Sequence, residues 1–243
     1  MNPSLTFATA GRVLTQLRRD HRTLGMIIVI PCLLVTLISY VVGEDTWARI
    51  GLPLVGIFPL VIMFLITSIA MLRERSSGTL ERLMTLPSSK LDILLGYGLA
   101  FAAVATVQSI AVSSVAIGLL DLDVEGAIPA AIGIAVVNAV LGMALGLLAS
   151  AFASSEFQAV QFMPAFLLPQ IVLCGLFAAR AEMSEGLRWI SDALPMTYAY
   201  DGLSHVSTSS SWTGDLAMDV LVVAGSAVAA LALAAATLRR RTG

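Results

Sequence analysis

The chain has 243 residues, of which 58% are hydrophobic and only 12% charged, with a mean hydropathy of +0.90 and a formal net charge of −2. Ordinary soluble domains are about 45–50% apolar and about 25% charged, so this composition excludes a soluble fold and implies a chain solvated largely by lipid. No basic patch recommends a nucleic-acid partner.

A helix needs about 20 predominantly apolar residues to cross a hydrocarbon layer of roughly 30 Å. By that rule the chain is expected to be an all-α membrane protein with six transmembrane helices, forming a single domain over residues 1–243.

Residues 1–23 form an arm in which Ala10, Val13, Leu14 and Leu17 recur at helical spacing while Arg12, Gln16 and Arg19 fall on another face. This suits an amphipathic interfacial helix with its arginines near headgroups; a solvated basic arm is the alternative. The first apolar run begins near Leu24, is too long for the core of a signal peptide and lacks a cleavage motif, so the first span, 24–43, is expected to be retained.

The second span is expected over 50–72, with Pro53 and Pro59 kinking it rather than breaking it. The link that follows, from Leu72 to Lys90, reads as a short helix: Ser77, Gly78 or Thr79 can cap its start, Glu81 sits in its first turn and Pro87 ends it. Ser88 or Ser89 then caps the third span, with Asp92 following in the manner of a capping box. Leu80, Leu83 and Met84 give the short helix an apolar face outside the bilayer, to be buried against this protein's own helix ends or against another protein.

Spans three and four are expected over 91–120 and 127–152. In the fourth, Gly142, Gly146 and Ser150 recur every four residues, a stripe along which another helix can approach closely. The fifth span, 157–179, contains Pro164 and Pro169, and the sixth covers 215–238. Between them, 180–214 mixes charges with Met183, Leu187, Trp189, Ile190, Tyr198 and Tyr200, which suits short interfacial helices; a small extramembrane cap is the alternative.

Arg12, Arg18, Arg19, Arg22, Arg73, Arg75, Arg82, Lys90, Arg239, Arg240 and Arg241 fall on one side of this arrangement, leaving only Arg49, Arg180 and Arg188 on the other. The positive-inside rule therefore puts both termini in the cytoplasm.

The two cysteines, Cys32 and Cys174, lie far apart in apolar segments and read as small buried hydrophobes. No cluster has metal-ligand spacing, and His21 and His205 fall on opposite sides of the membrane, so no enzyme is expected and no metal site. The central parts of the spans carry no ionisable residue, which disfavours the alternative of a gradient-driven secondary transporter or channel. A membrane scaffold without transport would leave the charged link unexplained.

Glu74-Arg75-Ser76-Ser77-Gly78-Thr79-Leu80-Glu81-Arg82-Leu83 followed by Leu86-Pro87, with Leu194-Pro195-Met196-Thr197-Tyr198-Ala199-Tyr200 before the sixth span, resembles the ABC-2 type (type V) permease family, exemplified by daunorubicin-resistance permeases. The resemblance covers nearly the whole chain. It implies the membrane subunit of an ATP-driven exporter in a prokaryotic cell membrane, paired with a second permease subunit, identical or different, and two copies of a separate ATP-binding subunit.

On that mapping the 77–87 segment is a cytoplasmic coupling helix docking on the ATP-binding subunit, and Glu74, Arg75, Gly78, Thr79, Leu80, Glu81, Leu83 and Pro87 match motif positions. Segment 180–214 would hold extracellular re-entrant helices, with Pro195, Tyr198 and Tyr200 at an outer gate. The two helices that flank the family's route point to Phe58, Met63, Phe64, Gln161, Phe162 and Met163 as path lining, fit for a hydrophobic or amphiphilic cargo. The chain contains no Gly-x-x-x-x-Gly-Lys-Ser/Thr loop, so ATP and Mg would be held by the partner, with no cofactor in this chain.

Overall fold

The computed structural model describes residues 3–78 and 90–237. Thr79, Leu80, Glu81, Leu83 and Pro87 of the expected coupling helix, and the caps at Ser88 and Ser89, lie outside the described residues. Among the described residues there are nine α-helices and no strand: α1 Pro3–Arg19, α2 His21–Val41, α3 Glu44–Ser76, α4 Lys90–Gly118, α5 Ile128–Ser150, α6 Glu156–Leu173, α7 Glu185–Ala193, α8 Pro195–Thr208 and α9 Gly214–Thr237. Five of these, α2, α3, α4, α5 and α9, are long and apolar enough to cross a membrane.

Helix starts follow local chemistry. Asp20 caps α2, its carboxylate accepting from Thr23 N at 3.1 Å and from the Thr23 hydroxyl at 2.6 Å. Ser155 caps α6 by accepting from Gln158 N at 3.2 Å. Helix α3 starts at Glu44, six residues before the apolar run that marked the second span, because Glu44 and Asp45 occupy its first turn, where carboxylates favour the positive end of the helix. Its 33 residues reach about 50 Å, longer than the bilayer core.

Helix α6 stops at Leu173, six residues short of the expected end of span five. Gly175 adopts a φ of 109°, the left-handed conformation that closes helix C-termini and that glycine takes without strain. Helix α6 is only 18 residues long and carries Gln158, Gln161, Gln170, Pro164 and Pro169, which keeps it outside the set of five.

The centre of the bundle is the pair α3 and α5. A Cβ on Gly142 would collide with the backbone of Leu60, and one on Gly146 with Phe64 O and Thr67 Oγ1, so the small-residue stripe is where α3 lies directly on α5. Polar groups reinforce the seam. Thr67 Oγ1 sits 2.7 Å from Met63 O and 3.1 Å from Met143 O, and Asn138 Nδ2 donates to Gly56 O at 3.0 Å.

A second polar tie meets a backbone need. Pro31 within α2 has no N–H, so the carbonyl of Ile27, four residues before it, loses its helical donor. Gln108 of α4 supplies one, Nε2 donating to Ile27 O at 2.8 Å with both residues fully buried.

Helix α1 uses its amphipathic face inward. Ala10 and Val13 are buried in one cluster with Ile93, Leu94 and Tyr97 of α4. Gly96 permits the approach, since a Cβ there would stand 2.9 Å from Thr6 O and 2.5 Å from Thr9 Cβ.

Candidate functional site

Helix α3 ends where the motif-bearing link begins. Ser77 N donates to Arg73 O at 2.9 Å, and Gly78 follows with a φ of 71°. Ser77 and Gly78, two of the three residues expected to cap the start of a short helix, thus close a long one, and Gly78 supplies the left-handed turn that ends α3.

Three successive residues in the last turn of α3, Arg73, Glu74 and Arg75, reach three different neighbours. Arg73 forms a bidentate pair with Glu156 at the start of α6, at 2.7 and 2.9 Å. Arg75 donates to the carbonyl of Ser150, the last residue of α5. Glu74, nine-tenths buried, receives Arg12 of α1 through its Oε1 at 3.4 Å. The same guanidinium donates to the Tyr97 hydroxyl of α4 and lies 5.6 Å from that ring's centroid.

Arg12 is therefore turned into the protein rather than toward headgroups. A carboxylate this buried requires a cation, and α1 delivers it. Neither Arg12 nor Tyr97 could be picked out as part of this group from the sequence, because no local spacing links positions 12, 74 and 97.

The opposite end is organised by Arg180, which pairs with both Asp192 and Asp201. Burial pushes the Asp201 carboxyl up, against the pull of Arg180. Pro195 opens α8 at its first turn, a position that needs no N–H. The Tyr198 hydroxyl donates to Asp192 O at 2.7 Å, and the Tyr200 ring covers Gly175, where a Cβ would meet it at 3.0 Å. Ser191 donates to Leu173 O at 2.8 Å, so α7 hangs from the end of α6. Gly126 N donates to Val206 O at 2.9 Å, which ties α8 to the loop before α5.

The six residues named for a path lining are divided. Phe64 is buried, and Phe58, Phe162 and Met163 are partly buried against the same cluster. Gln161 is exposed on α6. Met63 faces away, in the cluster that holds Tyr97, Phe101 and Met143. Adjacent residues on a helix point about 100° apart, so Met63 and Phe64 cannot share one wall. Phe166, which the sequence did not single out, joins the rest: its ring centroid lies 6.4 Å from Phe64 and 6.2 Å, edge-on, from Phe162.

Among the described residues no group of His, Cys, Asp and Glu is placed to hold a metal. The arrangement is a charged collar around the end of α3 at one pole, an acid–arginine cluster at the other, and an aromatic α3–α6 contact between them.

Comparison with known proteins bears on the family alone. ABC transporter G family member 20 of Dictyostelium discoideum is 26% identical over 141 residues, covering 58% of this chain and 19% of that protein. The probable multidrug ABC transporter permease YbhR of Escherichia coli strain K12 is 25% identical over 168 residues, covering 65% of this chain and 46% of YbhR. The chain thus spans less than half the length of these relatives. Residues 4–207 match the family described as ABC-2 type transporter, and the chain belongs to that family.

Proposed function

We propose that this chain is the non-catalytic, membrane-spanning permease subunit of an ATP-driven exporter, energised by two copies of a separate ATP-binding subunit that hold ATP and Mg. It works beside a second permease subunit and moves a hydrophobic or amphiphilic cargo outward, with six spans and both termini in the cytoplasm.

The observation that carries the reading is the collar around α3. The residues immediately before the 79–89 segment are anchored to α1, α5 and α6 at once through Glu74, Arg75 and Arg73. A push received on that segment would pass to three helices, as a coupling element requires.

The six-span reading draws support from the path of α6. Glu156 at its start pairs with Arg73, while Leu173 at its end binds the α7–α8 region that is tied to the loop between α4 and α5. It therefore runs from pole to pole although it is short. The aromatic contact of Phe64, Phe162 and Phe166, without fixed charge, supports an apolar cargo.

The test is retention of an ATPase. Affinity-tagged chain isolated from its own cell membranes should carry a Walker-motif subunit, and Glu81→Arg or Leu83→Asp should release it while melting temperature stays unchanged. Equal recovery of the ATPase with both variants would overturn the assigned interface. Stimulation of the complex's ATPase activity by sugars and by no apolar compound would overturn the cargo class.

A further inference from the structure

A cavity of about 430 Å³ lies between α1, α2, α3 and α4, beside the collar. Pockets that hold drug-sized ligands run from roughly 300 to 1,000 Å³. Its walls include Met26, Ile66, Ile69 and Phe101, and its charged groups are Asp20, Arg73 and Glu74. It is lined by neither Phe64 nor Phe166, so it is separate from the aromatic contact between α3 and α6.

The balance of charge in this cavity is negative. Arg73 is already engaged by both oxygens of Glu156. Asp20 is held in its charged form, its carboxyl kept below the usual range by the hydroxyl and backbone N–H of Thr23. Glu74 offers an oxygen with no partner: Oε1 meets Arg12, which does not line the cavity, while Oε2 is buried and accepts no hydrogen bond.

A buried carboxylate oxygen left without a donor is costly, and one set in the wall of an apolar-sided cavity suits a donor brought by a ligand. An anionic headgroup would meet Asp20 and Glu74 and be repelled. A neutral apolar molecule would fill the space and leave Oε2 unmet. An ammonium on an apolar body satisfies both.

We infer that this cavity binds a drug-sized cationic amphiphile, its apolar body against Ile66, Ile69 and Phe101 and its ammonium shared between Glu74 and Asp20. Met26 at the edge is exposed, which gives such a molecule an apolar approach from the side of the bundle. The site stands whether or not the chain exports what it binds.

The experiment uses the full chain in phosphatidylcholine nanodiscs, titrated with dansylcadaverine, an apolar fluorophore bearing a primary ammonium, and with its N-acetylated, uncharged form. Saturable binding of the amine is expected, with the acetylated form weaker by about tenfold, the size of one charge-assisted hydrogen bond. Glu74→Gln should bring the amine down to the acetylated form's affinity. Asp20→Asn should weaken the amine alone, and it keeps the α2 cap because Asn caps as Asp does. Ala70→Phe, which fills the cavity from α3, should abolish binding of both forms.

Melting temperatures establish that each variant is folded. If Glu74→Gln does not fold, Asp20→Asn and Ala70→Phe decide the matter between them. Equal affinity for the two dansyl forms, binding unchanged by Ala70→Phe, or no saturable binding to the unmodified chain would each overturn the inference.

Discussion

The Gln108 bond to Ile27 O makes a prediction that separates a backbone repair from ordinary packing. Gln108→Leu keeps the volume and removes the donor, so the Ile27 carbonyl, deprived of its helical partner by Pro31, is stranded in the bundle. A buried polar group left unpaired costs about 1–3 kcal/mol, and side-chain hydrogen bonds between membrane helices average nearer 0.6 kcal/mol. Gln108 Oε1 is itself buried without a partner, so its removal returns part of that cost. The net loss should be about 1 kcal/mol. Pro31→Ala restores an N–H at position 31 that reaches Ile27 O within α2, and in that background Gln108→Leu should cost nothing. The coupling between the two positions is therefore about 1 kcal/mol, or about 2–4 °C in melting temperature for a chain of this size. The assay is reversible unfolding in mixed micelles of the parent, both single variants and the double. Additivity within about 0.3–0.5 kcal/mol would refute the repair.

Three further outcomes follow from particular contacts. Gly146→Ala pushes a methyl group into Phe64 O and Thr67 Oγ1 and should destabilise by about 1–3 kcal/mol, whereas Gly133→Ala, which meets nothing within 4 Å, should be neutral or stabilising, as thermal melting of the pair will show. Arg12→Met leaves Glu74 buried without its cation and should cost about 1–3 kcal/mol, less than a fully buried pair because Arg12 is one-third exposed; faster proteolysis at the α1–α2 junction is the readout. Gly175→Ala forces a side chain into a left-handed conformation against Tyr200 and should cost about 1–2 kcal/mol, read as a lower melting temperature.

The parts of the fold that were legible in the sequence are those written in local periodicity. Apolar runs located the five long helices, and the Gly142-Gly146-Ser150 stripe marked the face on which α5 meets α3. Helix ends were harder, because the residues that decide them are not hydrophobic: Glu44 and Asp45 read as a polar link yet start α3, and the Cys174-Gly175 pair stops α6 inside an apolar run. The collar was least legible. Glu74 and Arg75 were marked by the motif, but their partners Arg12 and Ser150 stand 62 and 75 positions away along the chain and become neighbours only through packing, as does Tyr97, the other partner of Arg12. Phe166 was passed over because an aromatic on a proline-bearing helix has no sequence signature that separates a bridging ring from a lipid-facing one.

The collar also explains why the proposed coupling would act on helices unequally. Helix α3 grips α5 twice, by Arg75 at the end and by the glycine seam with Thr67 and Asn138 along its length. These two helices must move together, since interdigitated backbones cannot slide without first separating. The link from α3 to α6 is different in kind: an exposed Arg73–Glu156 pair, of the sort worth little in isolation, and tilted aromatic rings that tolerate sliding. On the proposed reading, a displacement entering at Gly78 would carry α3 and α5 as one body and be spent at the α3–α6 contact, where Phe64 and Phe166 meet. That places the moving seam beside Phe58, Phe162 and Met163 and leaves Met63, locked on the far side of α3 with Tyr97 and Met143, as part of the body that moves.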